Sequence, residues 1–552
     1  MELINQHTKK IMEGCKVRAA DAGLRFQNES LEYIVTNRDL LELSPKVMIP
    51  TLYDYWVHDV EILKGKGKYE LYPGNPYETV INTRPAISFY NDNNPDWLNV
   101  MIFYHVLGHI DFFQNNAFFR HTWDYDFTGQ ALSDKRVIAR LRSENGRWAD
   151  YVIEFSRGID NLVGYHNELA LLNTFRSPKK MSKIDFYFDI FLQSVLKVNI
   201  NDYIKEIERY NQCVQDDKAR CQEIFFAEIE LKHPEFESVY NKRVQKTPPR
   251  HNDLLQYIMS KSKFINSDEN QWMKAVMQIV RKTSLFFQPQ IRTKIMNEGW
   301  ASYWHERLFL KDERIKGHEV EFARVNANVT SLPRVGLNPY ALGMRLFYQI
   351  EEMVDKGRYS YDFERIQNEG QRRQFDTKAG TGKAFIFHVR ENWCDSMFIN
   401  SFLDQDFITR YNLFVAGKRL NKERMVWEYY IKSRKREDYI KMLSSALYHP
   451  PHIIIDENKT DENILYLVHQ FEDKPLVKEY IANTMMGIEY LWGGTVKLET
   501  SEVVPPSKPP ASGSIMGYLP GPKPKETTEP VERLWQRVEY TMENRKLTRK
   551  EL

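Results

Sequence analysis

The amino-acid sequence predicts an α+β multidomain protein: a mainly helical N-terminal domain over residues 1–332, zincin-like in its motifs, then a smaller α+β domain over 333–502. Three observations predict it. Helical periodicity with long charged faces dominates the first three hundred or so residues. Short apolar runs alternate with helical segments after Lys383. A stretch rich in Pro, Ser and Gly then closes the pattern near residue 502.

In chain order, residues 69–84 interrupt the helical region: Pro73-Gly-Asn-Pro76 punctuates an extended stretch that ends in Val80-Ile-Asn-Thr. Helices resume in segments such as Ile200-Asn-Asp-Tyr-Ile-Lys-Glu-Ile-Glu-Arg209 and Asp253-Leu-Leu-Gln-Tyr-Ile-Met259. The runs Ala384-Phe-Ile-Phe-His-Val389 and His452-Ile-Ile-Ile-Ile-Asp456 are short enough for strands, between helices over 437–447 and 477–491. Residues 503–530 form a Pro-rich linker by composition, and 531–552 a charged terminal helix or tail, dispensable for the fold. No solenoid or propeller repeat occurs.

The charge balance, 77 Lys+Arg against 75 Asp+Glu, gives no reason to expect nucleic acid or a membrane surface as partner. The basic run Lys432-Ser-Arg-Lys-Arg436 precedes Glu437 and Asp438 and reads as a solvated helix face. Four cysteines without CxxC spacing argue for a reduced chain and against a thiolate metal site. No signal-peptide pattern or uncharged membrane-length stretch is present, so the expected location is the cytoplasm.

Two motifs carry the chemistry. In His105-Val-Leu-Gly-His109-Ile-Asp-Phe-Phe113 the histidines stand one helical turn apart and point the same way. Asn297-Glu-Gly-Trp-Ala-Ser-Tyr-Trp-His305 supplies Glu298, which would complete a His105, His109, Glu298 ligand set for zinc or another divalent metal. An unpartnered imidazole in so apolar a run would be costly, which strengthens the pair as a shared site; two core histidines bonded to carboxylates or carbonyls fit the same residues. Gly108 implies close approach of a backbone or ligand. His305 lies seven residues from Glu298, about 10 Å along a helix, which makes it an outer-ring or substrate-facing group rather than a ligand.

A familiar zincin carries His-Glu-x-x-His, and Val106 stands in the glutamate position here. A hydrolase would need its base from elsewhere, with Asp111, Glu168 and Glu306 as candidates. Gly380-Thr-Gly-Lys383 lacks the first glycine and the magnesium-binding hydroxyl of a phosphate loop and reads as a turn. His449-Pro-Pro-His452 reads as a loop, and Cys394 as inert.

The segment Gln288-Pro-Gln-Ile-Arg-Thr-Lys-Ile-Met-Asn-Glu-Gly-Trp-Ala-Ser-Tyr-Trp-His305, with Leu337-Asn-Pro-Tyr-Ala-Leu-Gly343 and Leu491-Trp-Gly-Gly-Thr-Val-Lys-Leu-Glu-Thr500, resembles the stage V sporulation protein R (SpoVR) family. The block Ile81-Asn-Thr-Arg-Pro85 followed by His105 to Asn116 is similar too, and the resemblance covers roughly residues 10 to 502. Two departures mark a divergent branch: Tyr55-Trp-Val-His58 stands where members tend to have His-Trp-Phe-Gly, and Tyr104 replaces a small residue. The resemblance implies a bacterial cytoplasmic protein of spore cortex formation or stress response, working with a PrkA-type serine protein kinase and its companion protein. No reaction comes with it. A metal-dependent hydrolase of peptidase or amidase type is the enzymatic reading, and a regulatory scaffold is the other.

Overall fold

A computed structural model describes residues 2–27, 29–36, 78–123, 126–173, 183–216, 220–245, 253–421, 426–447, 449–472, 474–503 and 535–552. The expected turn at 73–76, the string at 55–58 and linker residues 504–530 lie outside the described residues.

The chain is a mixed α+β protein of two compact units, one comprising residues 1–164 and 254–552 and the other 165–253. The division does not fall at the expected 332/333 boundary: one apolar cluster runs from Ile4 to Leu443 and draws on both sides of it. The helix Pro339–Asp355 packs on the helix Lys294–Phe309 through Gly343 and Gly299, where a Cβ on either glycine would collide with the facing backbone. Two elements joined that closely belong to one core.

Among the described residues, three sheets serve the larger unit. The first has order β1 (Glu2–Leu3), β2 (Ser30–Val35), β4 (Ala86–Asn91), β3 (Glu78–Ile81), with β2 and β4 parallel and the outer pairs antiparallel. β4 leads directly toward the helix Asp96–Asn115, in which every residue from 98 to 113 is buried. Such a helix, buried on all sides, belongs at the centre of a core. The second sheet is the two-stranded ribbon β5 (Val415–Asn421) and β6 (Val426–Ser433). In the third, β7 (His452–Ile455) and β8 (Ile464–Gln470) are antiparallel, and the helix Lys478–Trp492 makes the crossover to β9 (Thr495–Val503), parallel to β8. That helix ends at Gly493, φ +79°, a left-handed residue that closes its last turn.

The sheet continues where the sequence suggested a helix or loose tail. β10 (Trp535–Glu543) pairs antiparallel with β9, and β11 (Lys546–Glu551) with β10, giving the order β11-β10-β9-β8-β7. The connection is a two-residue turn in which Asn544 and Arg545 both have positive φ, as the twist of a tight hairpin requires. Val538, Tyr540 and Met542 alternate inward and are buried. The terminal segment is therefore part of the fold. Two smaller readings also change. Residues 384–389 lie in a helix, Gly382–Asn392, whose Ile386, Val389 and Arg390 are buried at spacings three and four. The basic run 432–436 ends β6 and enters the helix Arg436–Ala446 rather than lining a helix face.

The second unit carries the helices Ile200–Asp216, Cys221–Lys232 and Phe236–Gln245 and a π-helical segment Tyr187–Val195. Its core is aromatic, built on Phe186, Tyr187, Phe191, Phe225 and Phe236.

Candidate metal centre

Two helices make the centre, and small residues set how closely they approach. A Cβ added to Gly108 would lie 2.7 Å from the Ala301 Cα, so the helix Asp96–Asn115 meets the helix Lys294–Phe309 backbone to backbone. The second helix has no side-chain cap of its own at Thr293. Asp395 replaces it from a hundred residues away, accepting from Ile295 N (2.8 Å) and Met296 N (2.9 Å). Burial, with the nearby Glu298 charge adding to it, pushes the Asp395 carboxyl up to about 7 against these backbone bonds.

The imidazoles of His105 and His109 lie one turn apart with ring centroids 4.6 Å from each other. Glu298 Oε2 stands 3.9 Å from His105 Nε2 and 3.5 Å from His109 Nε2, and the three donor atoms lie within 4.8 Å of one another. That oxygen is buried and has no hydrogen-bond partner among the described residues. The separations exceed direct hydrogen bonds. Two ligands held at 2.0–2.1 Å from a shared ion in a tetrahedral arrangement sit about 3.4 Å apart. The donor types suit a zinc-type ion, the 3.5 Å between His109 and Glu298 matches that spacing, and the 3.9 Å between His105 and Glu298 is wider. Burial opposes ionisation of Glu298, but His105, His109 and a Tyr340 hydrogen bond outweigh it and hold the carboxyl below its ordinary value.

The outer ring fixes which imidazole nitrogens face inward. Asn297 Oδ1, 2.9 Å from His109 Nδ1, can only accept, so Nδ1 carries the proton and Nε2 presents its lone pair. For His105 the orientation is set through His305, Asn326 and Glu306. Asn326 donates its Nδ2 to Glu306 Oε2 (2.6 Å), which turns its Oδ1 toward His305 Nε2 (2.9 Å). His305 Nε2–H therefore donates, and its Nδ1 accepts from His105 Nδ1–H at 2.7 Å. His105 Nε2 is left as the lone-pair nitrogen facing Glu298. Tyr348 donates to Glu306 Oε1 (2.8 Å) and anchors the outer end. Tyr340 stacks on His105, centroids 5.9 Å apart and planes 21° from parallel.

The structure thus brings His105, His109, Glu298 and His305 together. Two of the candidate bases, Asp111 and Glu306, are held in other contacts. Asp111 is fully buried, accepting from Arg25 N (2.6 Å) and Trp300 Nε1 (2.8 Å) and pairing with Arg390 (3.3 Å). Burial pushes its carboxyl up to about 6 although Arg390 opposes the shift. Glu306 sits behind His305 as the anchor of Asn326. Glu168 lies on the helix His166–Asn173 of the second unit. Residues 377–381 are irregular and open the helix at Gly382, and burial pushes the Cys394 thiol up, as for an inert cysteine. His449 pairs with Glu472 at 2.8 Å. Sequence reasoning missed Asn297, Asn326, Tyr340 and Asp395. Asn297 and Tyr340 stood inside the quoted motifs, whereas Asn326 and Asp395 had no local signal.

Two imidazoles one turn apart on a buried helix, a carboxylate from a second helix and a hydrogen-bonded outer ring define the class: an α+β protein with a His-His-Glu candidate metal centre. The chain belongs to the SpoVR family, whose model, described as SpoVR like protein, matches residues 2–447. The match includes both helices of the centre and ends before the five-stranded sheet. The chain is also similar to Uncharacterized protein YcgB of Escherichia coli (strain K12), 24% identical over 396 residues, which cover 69% of this chain and 69% of that protein. No solved structure matches.

Proposed function

We propose that this SpoVR-family chain binds one divalent ion, zinc or a metal of similar ligand preference, through His105, His109 and Glu298 in a zincin-like arrangement. It would act in the cytoplasm, in sporulation and spore cortex formation or in stress-linked envelope remodelling, beside a PrkA-type serine protein kinase and its companion protein. The family membership supports the biological part. One observation carries the chemical part: both imidazoles are held by their Nδ1 atoms so that their Nε2 lone pairs converge on a buried carboxylate oxygen. Bound there, zinc supplies Lewis acidity for hydrolysis of an amide or related bond. The chain's own part is to orient the donors through Asn297 and His305 and to keep Glu298 ionised.

A second reading has a specific observation in its favour. Asp111 and Glu306 are engaged away from the centre, and Val106 occupies the position of the zincin base. A regulatory scaffold that docks the kinase and its companion needs no water-activating base.

Elemental analysis of protein purified without a histidine tag tests the centre. Near-stoichiometric metal, lost in His105→Ala/His109→Ala, is the expected result. A metal-free, fully folded wild type would overturn it and leave a buried polar network within a scaffold.

A further inference from the structure

The ribbon β5–β6 stands outside every role described so far. It has two strands and no third partner among the described residues, although an isolated two-stranded ribbon is marginal in water. Its base is tied down: Arg436 donates to Leu403 O (2.7 Å) and Asn400 O (2.8 Å). Its sequence, residues 415–436, holds eight Lys and Arg against two Glu, while the whole chain has a net charge of +2. The even balance of the chain conceals one strongly basic element.

The register sorts its side chains. Lys418 faces Tyr429, Leu420 faces Trp427 and Ala416 faces Ile431, so these six share one face. Five of them are exposed: Lys418, Trp427 (57%), Tyr429 (58%), Ile431 (48%) and Leu420 (41%). Lys418 Nζ lies 4.5 Å from the Trp427 ring centroid. Same-face neighbours on a strand stand about 6.7 Å apart, so Trp427 and Tyr429 form two successive planar platforms. The one described carboxylate, Glu428, is on the opposite face and pairs with Arg419 at 3.3 Å. Lys418, Lys432 and Lys435 make no ion pair among the described residues.

We propose that this ribbon binds single-stranded nucleic acid, two bases stacking on Trp427 and Tyr429 while Lys418, Lys432 and Lys435 meet the phosphates. Rings in succession beside unpaired cations are what an unpaired strand uses, since each base offers a π-face and each phosphate a charge. Base faces inside a duplex are covered by their neighbours. An ordinary protein surface brings both signs of charge, and this face carries Lys418, two aromatic rings and aliphatic side chains with no carboxylate.

The test titrates the full-length chain against a fluorescein-labelled oligouridine of about twenty nucleotides at about 50 mM salt, reading anisotropy and tryptophan emission. Saturable binding with quenched emission is expected. Trp427→Ala and Tyr429→Ala should each weaken it by about fivefold or more, with Trp427→Phe retaining most affinity. Lys418→Ala/Lys432→Ala should lower the salt slope by roughly one to two. These side chains are exposed, so the variants should melt with the wild type. No binding at about 100 μM protein overturns the proposal. So does equal binding of polyglutamate, which would give the ribbon to an acidic protein surface, or equal binding of a matched duplex that Trp427→Ala leaves unchanged, which would reduce it to a general polyanion contact.

Discussion

His105 Nδ1 and His305 Nδ1 lie 2.7 Å apart, and His305 continues through Asn326 to Glu306. The contact gives His305 a role that the sequence spacing only bounded: it sets the tautomer of a candidate ligand. Groups behind metal ligands typically change affinity by roughly 10- to 100-fold when removed. His305→Ala should therefore weaken zinc binding by about that factor, while Glu298→Ala abolishes it. Competition against a chromophoric chelator measures both, and equal, complete loss would show that the ligands are wrongly assigned.

The pair Asp111–Arg390 is a structural prediction. Both side chains are fully buried, and the guanidinium also lies 5.6 Å from the Trp300 ring centroid. Removing one member of a buried pair leaves the other charge uncompensated, at about 3–5 kcal/mol. Arg390→Met should lower the urea midpoint accordingly, and Asp111→Leu/Arg390→Met should recover much of the loss. A single-variant cost under about 1 kcal/mol would mean that solvent reaches the pair.

Asp312 predicts an acid dependence. Burial alone would raise its carboxyl, but Arg314 and the Tyr104 hydroxyl (2.7 Å) outweigh it and hold it at about 2. A folded value below the ordinary 3.8 means that the unfolded chain binds the proton more readily. The stabilisation is therefore present above about pH 4 and lost as the pH falls through about 2. Asp312→Asn should cost on the order of 2 kcal/mol at pH 7, and the gap should close between about pH 4 and 2. A gap independent of pH in matched urea melts would remove the carboxylate from the account.

Legibility followed the range of the interactions. The helix of His105 was readable because its His-x-x-x-His spacing and apolar run are local, and Gly108 announced the close backbone that turned out to be Ala301. Asn326 and Asp395 act across 21 and about 100 residues, and no periodicity connects them to the centre. Residues 384–389 misled because a run of six with five apolar positions fits either period, and length decides only in longer runs. The hairpin at the end was readable in principle: Val538, Tyr540 and Met542 alternate with Glu539 and Thr541, a period of two. Its high charge hid the alternation.

That hairpin reverses the expectation for truncation. A chain ending at residue 503 loses the burial of Val538, Tyr540 and Met542, each contributing roughly 1.5–3 kcal/mol, as well as the Arg537–Glu499 pair at 2.7 Å. It also turns β9 from an inner strand into an exposed edge, with Val496 and Leu498 beside unpaired backbone groups. Both effects point the same way: a loss of roughly 5 kcal/mol or more and a tendency to associate. The 1–503 chain should melt at least about 10 °C below the full-length protein and elute partly as larger species in size-exclusion chromatography. Because the centre at His105, His109 and Glu298 lies outside this sheet, metal content per folded molecule should be unchanged. Coincident melting curves would return the terminal strands to the status of a dispensable tail.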